Sequence, residues 1–127
     1  MIAHYLALGD SYTIGEGIAP EDRWPVRLAD ALRGEGVAID APRIVATTGW
    51  TTDELDAAID AAALRPPFDL VSLLIGVNDQ YRGRDVATYA PAFEALLARV
   101  TQRSAQALAL APGLPVFAQV KGVALLD

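Results

Sequence analysis

Short apolar runs alternate along this chain with longer segments of helical periodicity. Apolar runs at residues 3–8, 43–47 and 70–75 have the length and β character of buried strands, and each leads into a turn that contains glycine. The run at 70–75 is nearly continuous, which is typical of a central parallel strand that is covered on both faces. A fourth strand is predicted at residues 114–118.

Helices are predicted between these strands. One begins near Trp24-Pro25, because proline suits a first helical turn, and Gly34 and Gly36 end it. Thr51 and Glu54 have the spacing of a capping box that opens a second helix, and Pro66-Pro67 ends it. Alternation of strands and helices favours βαβ units and a parallel sheet.

A third helical pattern runs from about residue 87 into the 100s, and Pro91 marks its start or a kink near it. Its apolar face is formed by Phe93, Leu96, Leu97, Val100 and Ala107. With 127 residues, the whole chain is expected to form one domain.

Composition narrows the class of protein. The net charge is −6 and no basic run is present, so the sequence predicts no nucleic-acid partner and no anionic membrane surface. The absence of cysteine excludes disulfides and thiolate chemistry. No apolar stretch reaches the ~18–20 residues that a membrane span needs, and no signal peptide is recognisable, so a cytoplasmic location is expected.

Three residues with complementary chemistry each follow a predicted strand. Ser11 follows the first, Gly49 the second and Asn78 the third. Because the carboxyl ends of parallel strands meet at one edge of a sheet, these residues are expected to converge there. The Ser11 hydroxyl is a candidate nucleophile towards a carbonyl, and the Ser11 N–H, the Gly49 N–H and the Asn78 amide are candidate donors to the resulting oxyanion.

The same residues carry a family resemblance. Gly9-Asp10-Ser11-Tyr12 resembles the first sequence block of the SGNH hydrolases, also called the GDSL esterase/lipase family; Gly49 resembles the glycine of the second block, and Gly76-Val77-Asn78-Asp79 the third, G-x-N-D. The likeness covers about residues 2–103 and is greatest to bacterial lysophospholipase-like esterases. It implies a three-layer α/β/α sandwich with a parallel, flavodoxin-like sheet. It also implies hydrolysis of small carboxylic esters through an acyl-enzyme at Ser11, with no metal or cofactor.

Residues beside the three blocks have two interpretations. Gly9 and Asp10 are expected to support the nucleophile turn. Tyr12, Trp50 and Tyr81 either line an acyl or aryl pocket or pack in the core and rim, and the sequence leaves both open. A solvated polar loop with weak local ion pairs is predicted for Asp79, Arg82 and Arg84.

The chain departs from the family at the catalytic base. The family uses a histidine in a D-x-x-H block, whereas the one histidine here is His4. The strand from His4 to Leu8 alone spans ~13 Å, so His4 is not expected to reach Ser11.

Three hypotheses therefore stay open: a serine esterase, an inactive fragment or pseudo-enzyme that at most binds a ligand weakly, and an enzyme whose base comes from a partner chain. The sequence after Arg103 does not match the family, which predicts a C-terminal truncation or frameshift that removes the last strand and helix. An uncovered sheet edge would then favour self-association.

Overall fold

The sheet at the centre of the fold is parallel and has three strands. In this computed structural model, which describes residues 2–65 and 68–108, the strands are β1 (Tyr5–Gly9), β2 (Arg43–Ala46) and β3 (Leu70–Leu74). Their order is β2-β1-β3. The strand predicted at 114–118 lies outside the described residues.

The middle strand is β1, all five residues of which are buried. The sequence favoured β3 for the central place, but in the described part of the chain β3 pairs with β1 alone and most of its residues are half-buried. The register sets Gly9 of β1 opposite Ala46 of β2 and Leu74 of β3. The carboxyl ends of all three strands therefore lie at the same edge of the sheet.

Besides the 3₁₀-helix Pro20–Asp22, five α-helices accompany the strands in the described residues. They are α1 (Ser11–Ile14), α2 (Trp24–Gly34), α3 (Thr52–Ala61), α4 (Val77–Tyr81) and α5 (Val86–Leu108). The predicted bounds of α2 are confirmed, and the capping box of α3 forms, with Glu54 Oε1 accepting the Thr51 N–H at 3.2 Å. Pro91 lies inside α5. The short helices α1 and α4, which directly follow β1 and β3, were not predicted.

Side chains of β1 alternate between two hydrophobic clusters on opposite faces of the sheet. Leu6 and Leu8 join the cluster that α3 and α5 cover, whereas Tyr5 and Ala7 join the one that α2 covers through Ala29. This is the three-layer α/β/α arrangement that the sequence predicted. No helix among residues 2–65 and 68–108 is long and apolar enough to cross a membrane.

Candidate active site

Ser11 is the first residue of α1 and is separated from the end of β1 by Asp10 alone. Asp10 caps α1: its Oδ1 accepts the Tyr12 N–H at 3.0 Å, and its carbonyl oxygen accepts the N–H groups of Thr13 and Ile14 at 3.1 and 2.9 Å. The Ser11 N–H is left without an acceptor among the described residues. Ser11, which is half-buried, therefore has a free N–H at a helix N-terminus.

Gly9 allows α1 to approach the sheet closely. A Cβ on this residue would collide with Thr13 Oγ1 and would lie 2.8 Å from the carbonyl oxygen of Leu74. Both neighbours are buried or fixed by backbone pairing, so neither can move away easily. The Gly-Asp-Ser turn thus depends on the missing side chain at position 9.

The loop after β2 is held by side chains from α4 and from its C-cap residue, Arg82. Gly49 adopts φ +88°, a conformation that favours glycine. Its carbonyl oxygen accepts from Arg82 Nη2 at 2.6 Å, and the next carbonyl, that of Trp50, accepts from Asn78 Nδ2 at 2.9 Å. The Gly49 N–H has no acceptor in the described part of the chain, and Asn78 Nδ2 carries a second hydrogen.

The strand register brings the three predicted site residues to one edge of the sheet. Ser11 comes two residues after Gly9, and Gly49 and Asn78 come three and four residues after Ala46 and Leu74, the partners of Gly9. The contact of Asn78 with the Trp50 carbonyl joins the second and third loops directly. The predicted convergence at one edge is therefore observed.

Asp79 is wholly buried, so the prediction of a solvated loop is wrong for this residue. Its Oδ2 accepts the Thr52 N–H at 3.0 Å, and its Oδ1 accepts the Thr52 hydroxyl at 2.8 Å and Arg84 Nη1 at 3.2 Å. Because Thr52 is the first residue of α3, the Asp79 carboxylate binds the N-terminus of that helix. The residue after Asn78 thus fixes α4 against α3, which no local sequence signal had indicated.

Two buried carboxylates, those of Asp10 and Asp79, affect pKa values around the Gly-Asp-Ser turn. Burial raises the pKa of Asp10 above its ordinary value; the Tyr12 N–H opposes this shift, and the negative charge of Asp79 adds to it. Burial likewise raises the pKa of Tyr89, again with a contribution from Asp79. The negative charge of Asp79 therefore helps to raise the pKa values of both Asp10 and Tyr89.

The three aromatic residues beside the site do not share one environment. Tyr12 is 62% and Tyr81 90% exposed, whereas Trp50 is half-buried and packs against the core cluster of α3 and α5. Tyr12 and Tyr81 are therefore rim residues in this structure, and a pocket-lining role stays a prediction.

His4 lies at the opposite end of β1 from Ser11. It immediately precedes the strand, it is exposed, and its Nδ1 is 3.8 Å from Asp40 Oδ2. A cavity of about 400 Å³ opens at that end of the sheet, between His4, Arg43 and Phe68 among other residues. His4 cannot act as a base for Ser11 within the same chain, as the sequence predicted.

Several solved structures, including two of proteins named as esterases, have a similar fold. The esterase AlinE4 of the SGNH-hydrolase family is 26% identical, with a TM-score of 0.70, over 81% of this chain and 55% of that one. The psychrotrophic esterase EstA from Pseudoalteromonas sp. (24% identity, TM-score 0.68) and TesA (22%, 0.71) each cover 80% of this chain. The chain spans about half the length of each of these proteins, 55–56%.

Two curated proteins that are similar in sequence are named as ATP-binding proteins and not as esterases. The molybdenum import ATP-binding protein ModC of Albidiferax ferrireducens is 37% identical over 101 residues, which are 74% of this chain and 27% of that protein. ModC of Aromatoleum aromaticum is 46% identical over 57 residues, 45% of this chain and 15% of that protein. The chain thus spans only a small part of either relative.

The family profile matches nearly the whole chain. The description of that profile is the GDSL-like lipase/acylhydrolase family, and the match runs over residues 7–125. It therefore extends beyond Arg103, where the resemblance seen in the sequence blocks ended. The fold, the position of the Gly-Asp-Ser turn and the likeness to SGNH-hydrolase structures agree with it. The chain therefore belongs to the GDSL-like lipase/acylhydrolase family.

Proposed function

We propose that this chain is a serine hydrolase that attacks small carboxylic esters through Ser11. The observation that carries the proposal is the alignment of three strand ends, which sets Ser11, Gly49 and Asn78 at one edge of the sheet. Ser11 Oγ adds to the ester carbonyl carbon as its proton passes to solvent, and the C–O bond to the alcohol then breaks, so that the alcohol leaves with a proton from solvent. Water then adds to the acyl-enzyme, and the bond to Ser11 Oγ breaks to release the acid and restore the hydroxyl. The Ser11 N–H, the Gly49 N–H and Asn78 Nδ2 donate to the oxyanion.

Free donors at these positions support the assignment. The N–H groups of Ser11 and Gly49 have no acceptor among the described residues, and Asn78 spends one of its two amide hydrogens on the Trp50 carbonyl. Donors that are fixed before the reaction stabilise a developing oxyanion most effectively, and losing one typically costs ~10²–10³ in rate.

The Ser11 hydroxyl proton needs an acceptor when Oγ attacks the ester. His4 lies beyond the far end of β1, so within this chain the proton passes to water or hydroxide. A missing triad member leaves a serine hydrolase with only ~10³–10⁴ of rate over water. The inactive chain therefore remains the rival hypothesis, and a base from a partner chain the third.

ATP binding, which the names of the two ModC relatives state, is not part of the proposal. This sequence has one lysine, Lys121, and it is preceded by Val120, so no G-x-x-x-x-G-K-[ST] phosphate loop exists in it. Four statements stay predictions: the small carboxylic ester as substrate, the absence of a nucleic-acid partner, the cytoplasmic location and self-association at a sheet edge.

A fluorophosphonate probe tests the proposal on the purified chain. We expect saturable labelling, which peptide mapping should locate at Ser11. The labelling should be lost in Ser11→Ala and kept in the matched control Ser72→Ala, since the Ser72 hydroxyl is already hydrogen-bonded to the Tyr5 hydroxyl at 2.8 Å. Since no imidazole reaches Ser11, the labelling rate should rise with pH without a plateau above ~6.5, the ordinary histidine value. His4→Ala should leave this profile unchanged.

The outcomes separate the three hypotheses. No labelling of a chain with a folded circular dichroism spectrum would establish the inactive protein. A plateau that His4→Ala abolishes would instead indicate a histidine from a second copy of the chain.

A further inference from the structure

We propose that Arg82 is a positioning residue that, together with Asn78, holds the loop of the proposed oxyanion donor Gly49 in place. The proposal rests on the function proposed above, since it assigns a role within that site. Arg82 was read from the sequence as a surface charge, and its side chain is in fact 51% exposed. Its contacts, however, are directed at the loop that carries Gly49.

Asn78, within α4, and Arg82, its C-cap residue, act together on the loop after β2, and we call this pair of side chains the bracket. They are four residues apart, so they lie one above the other on the same face. Their side chains hold consecutive carbonyls of the second loop, Arg82 that of Gly49 at 2.6 Å and Asn78 that of Trp50 at 2.9 Å. The same helix therefore supplies one candidate donor and restrains the segment that supplies another.

The second arm of the guanidinium anchors the bracket to α3. Arg82 Nη1 lies 2.7 Å from Glu54 Oε1, and that oxygen also accepts the Thr51 N–H at 3.2 Å. A planar guanidinium can reach a carbonyl and a carboxylate at once, whereas an ammonium is a single point charge. Arg82 thus ties Gly49 to the capping box that begins α3.

The segment at Gly49 needs such a restraint. Residues 47–51 lie between the end of β2 and the start of α3, outside any strand or helix. Glycine is the residue with the greatest backbone freedom, so the direction of its N–H is not fixed by its own conformation. Arg82 holds the Gly49 carbonyl, and the N–H of the same Gly49–Trp50 peptide donates to the Thr47 carbonyl at 3.3 Å. The Gly49 N–H belongs to the preceding peptide, which is the middle one of this Thr47–Trp50 turn, so its direction is restrained through the turn.

The test measures backbone order and chemistry on the same proteins. Arg82→Gln removes the fork, Arg82→Lys keeps only the charge, and Arg27→Gln is the matched control, because Arg27 is an exposed arginine 4.0 Å from its partner Asp22. Nuclear magnetic resonance relaxation gives the order parameters of the Gly49 and Trp50 amides, and the fluorophosphonate gives the labelling rate at Ser11.

For Arg82→Gln we expect the order parameters of Gly49 and Trp50 to fall from ~0.85 towards ~0.6, the values of rigid and flexible backbone. The labelling rate should fall by about 10- to 100-fold, because misplaced donors lose most of their effect. Ester hydrolysis, where measurable, should lose kcat with KM nearly unchanged. Arg82→Lys should lie between Arg82→Gln and the parent chain, and Arg27→Gln should match the parent.

Each contrary result has a distinct meaning. Unchanged order parameters in Arg82→Gln would refute the bracket, whatever the labelling rate. Lower order parameters with an unchanged labelling rate would refute the positioning role alone. No labelling of the parent chain would refute the proposed function and this role together. If Arg82→Gln does not fold, Arg82→Lys decides by the same criteria.

Discussion

Replacing Asp79 by asparagine should destabilise the fold more than any change at an exposed acidic residue. Asp79 is fully buried and accepts three hydrogen bonds, two from Thr52 and one from Arg84. Asparagine has nearly the same shape but only one acceptor atom. Whichever way its amide points, an NH₂ group faces either the Thr52 N–H or the pair formed by the Thr52 hydroxyl and Arg84.

The magnitude follows from the contacts that are lost. A hydrogen bond to a charged group contributes ~1.5–3 kcal/mol, and a buried donor left without a partner costs ~1–3 kcal/mol. The carboxylate also faces the N-terminus of α3, which adds ~0.3–1 kcal/mol. These contributions overlap, so we expect a loss of about 2–4 kcal/mol, a large part of the ~5–15 kcal/mol of a typical domain.

The matched control is Asp53→Asn. Asp53 pairs with the same atom, Arg84 Nη1, at 2.9 Å, but its side chain is 65% exposed. An exposed ion pair contributes ~0–1 kcal/mol, so this variant should differ little from the parent. Urea unfolding followed by circular dichroism gives both free energies of unfolding from one protocol.

Equal losses in the two variants would refute the reasoning, because burial is the main difference between the two carboxylates. A loss in Asp79→Asn below ~1 kcal/mol would also contradict it, since the Thr52 contacts would then be worth no more than a surface pair.

Two further predictions concern the nucleophile turn. Gly9→Ala should lower the free energy of unfolding by about 1–3 kcal/mol, since the new Cβ meets Thr13 and the Leu74 carbonyl. The control Gly34→Ala, at a helix end with open space around it, should raise that free energy by up to ~1 kcal/mol. Thermal unfolding measures both variants, and changes of the same sign would contradict the packing argument. Burial raises the folded-state pKa of Asp10, so its protonated form favours folding; that contribution is complete below the unfolded-state value and is lost as the pH rises through the folded-state value. The neutral Asp10→Asn should therefore gain stability relative to the parent between pH ~4 and 7, and a difference in urea midpoint that does not change with pH would rule this out.

The sequence by itself determined the three strands, the longer helices and the candidate site residues, but not the short helices α1 and α4. Helix α2 and the capping box of α3 depend on residues close together in the chain, and so does the Gly-Asp-Ser turn after β1. Convergence of Ser11, Gly49 and Asn78 followed from the parallel topology alone, because such strands end at one edge of the sheet.

Only the tertiary structure decided what holds these residues there. Asp79 is 27 positions from Thr52, Asn78 is 28 from Trp50, and Arg82 is 33 from Gly49. No local pattern distinguishes a buried acidic residue from a solvated one, or an arginine that fixes a loop from one in water. The difference arises when α4 packs against α3, which removes water from Asp79 and brings the donors of α4 to the loop carbonyls.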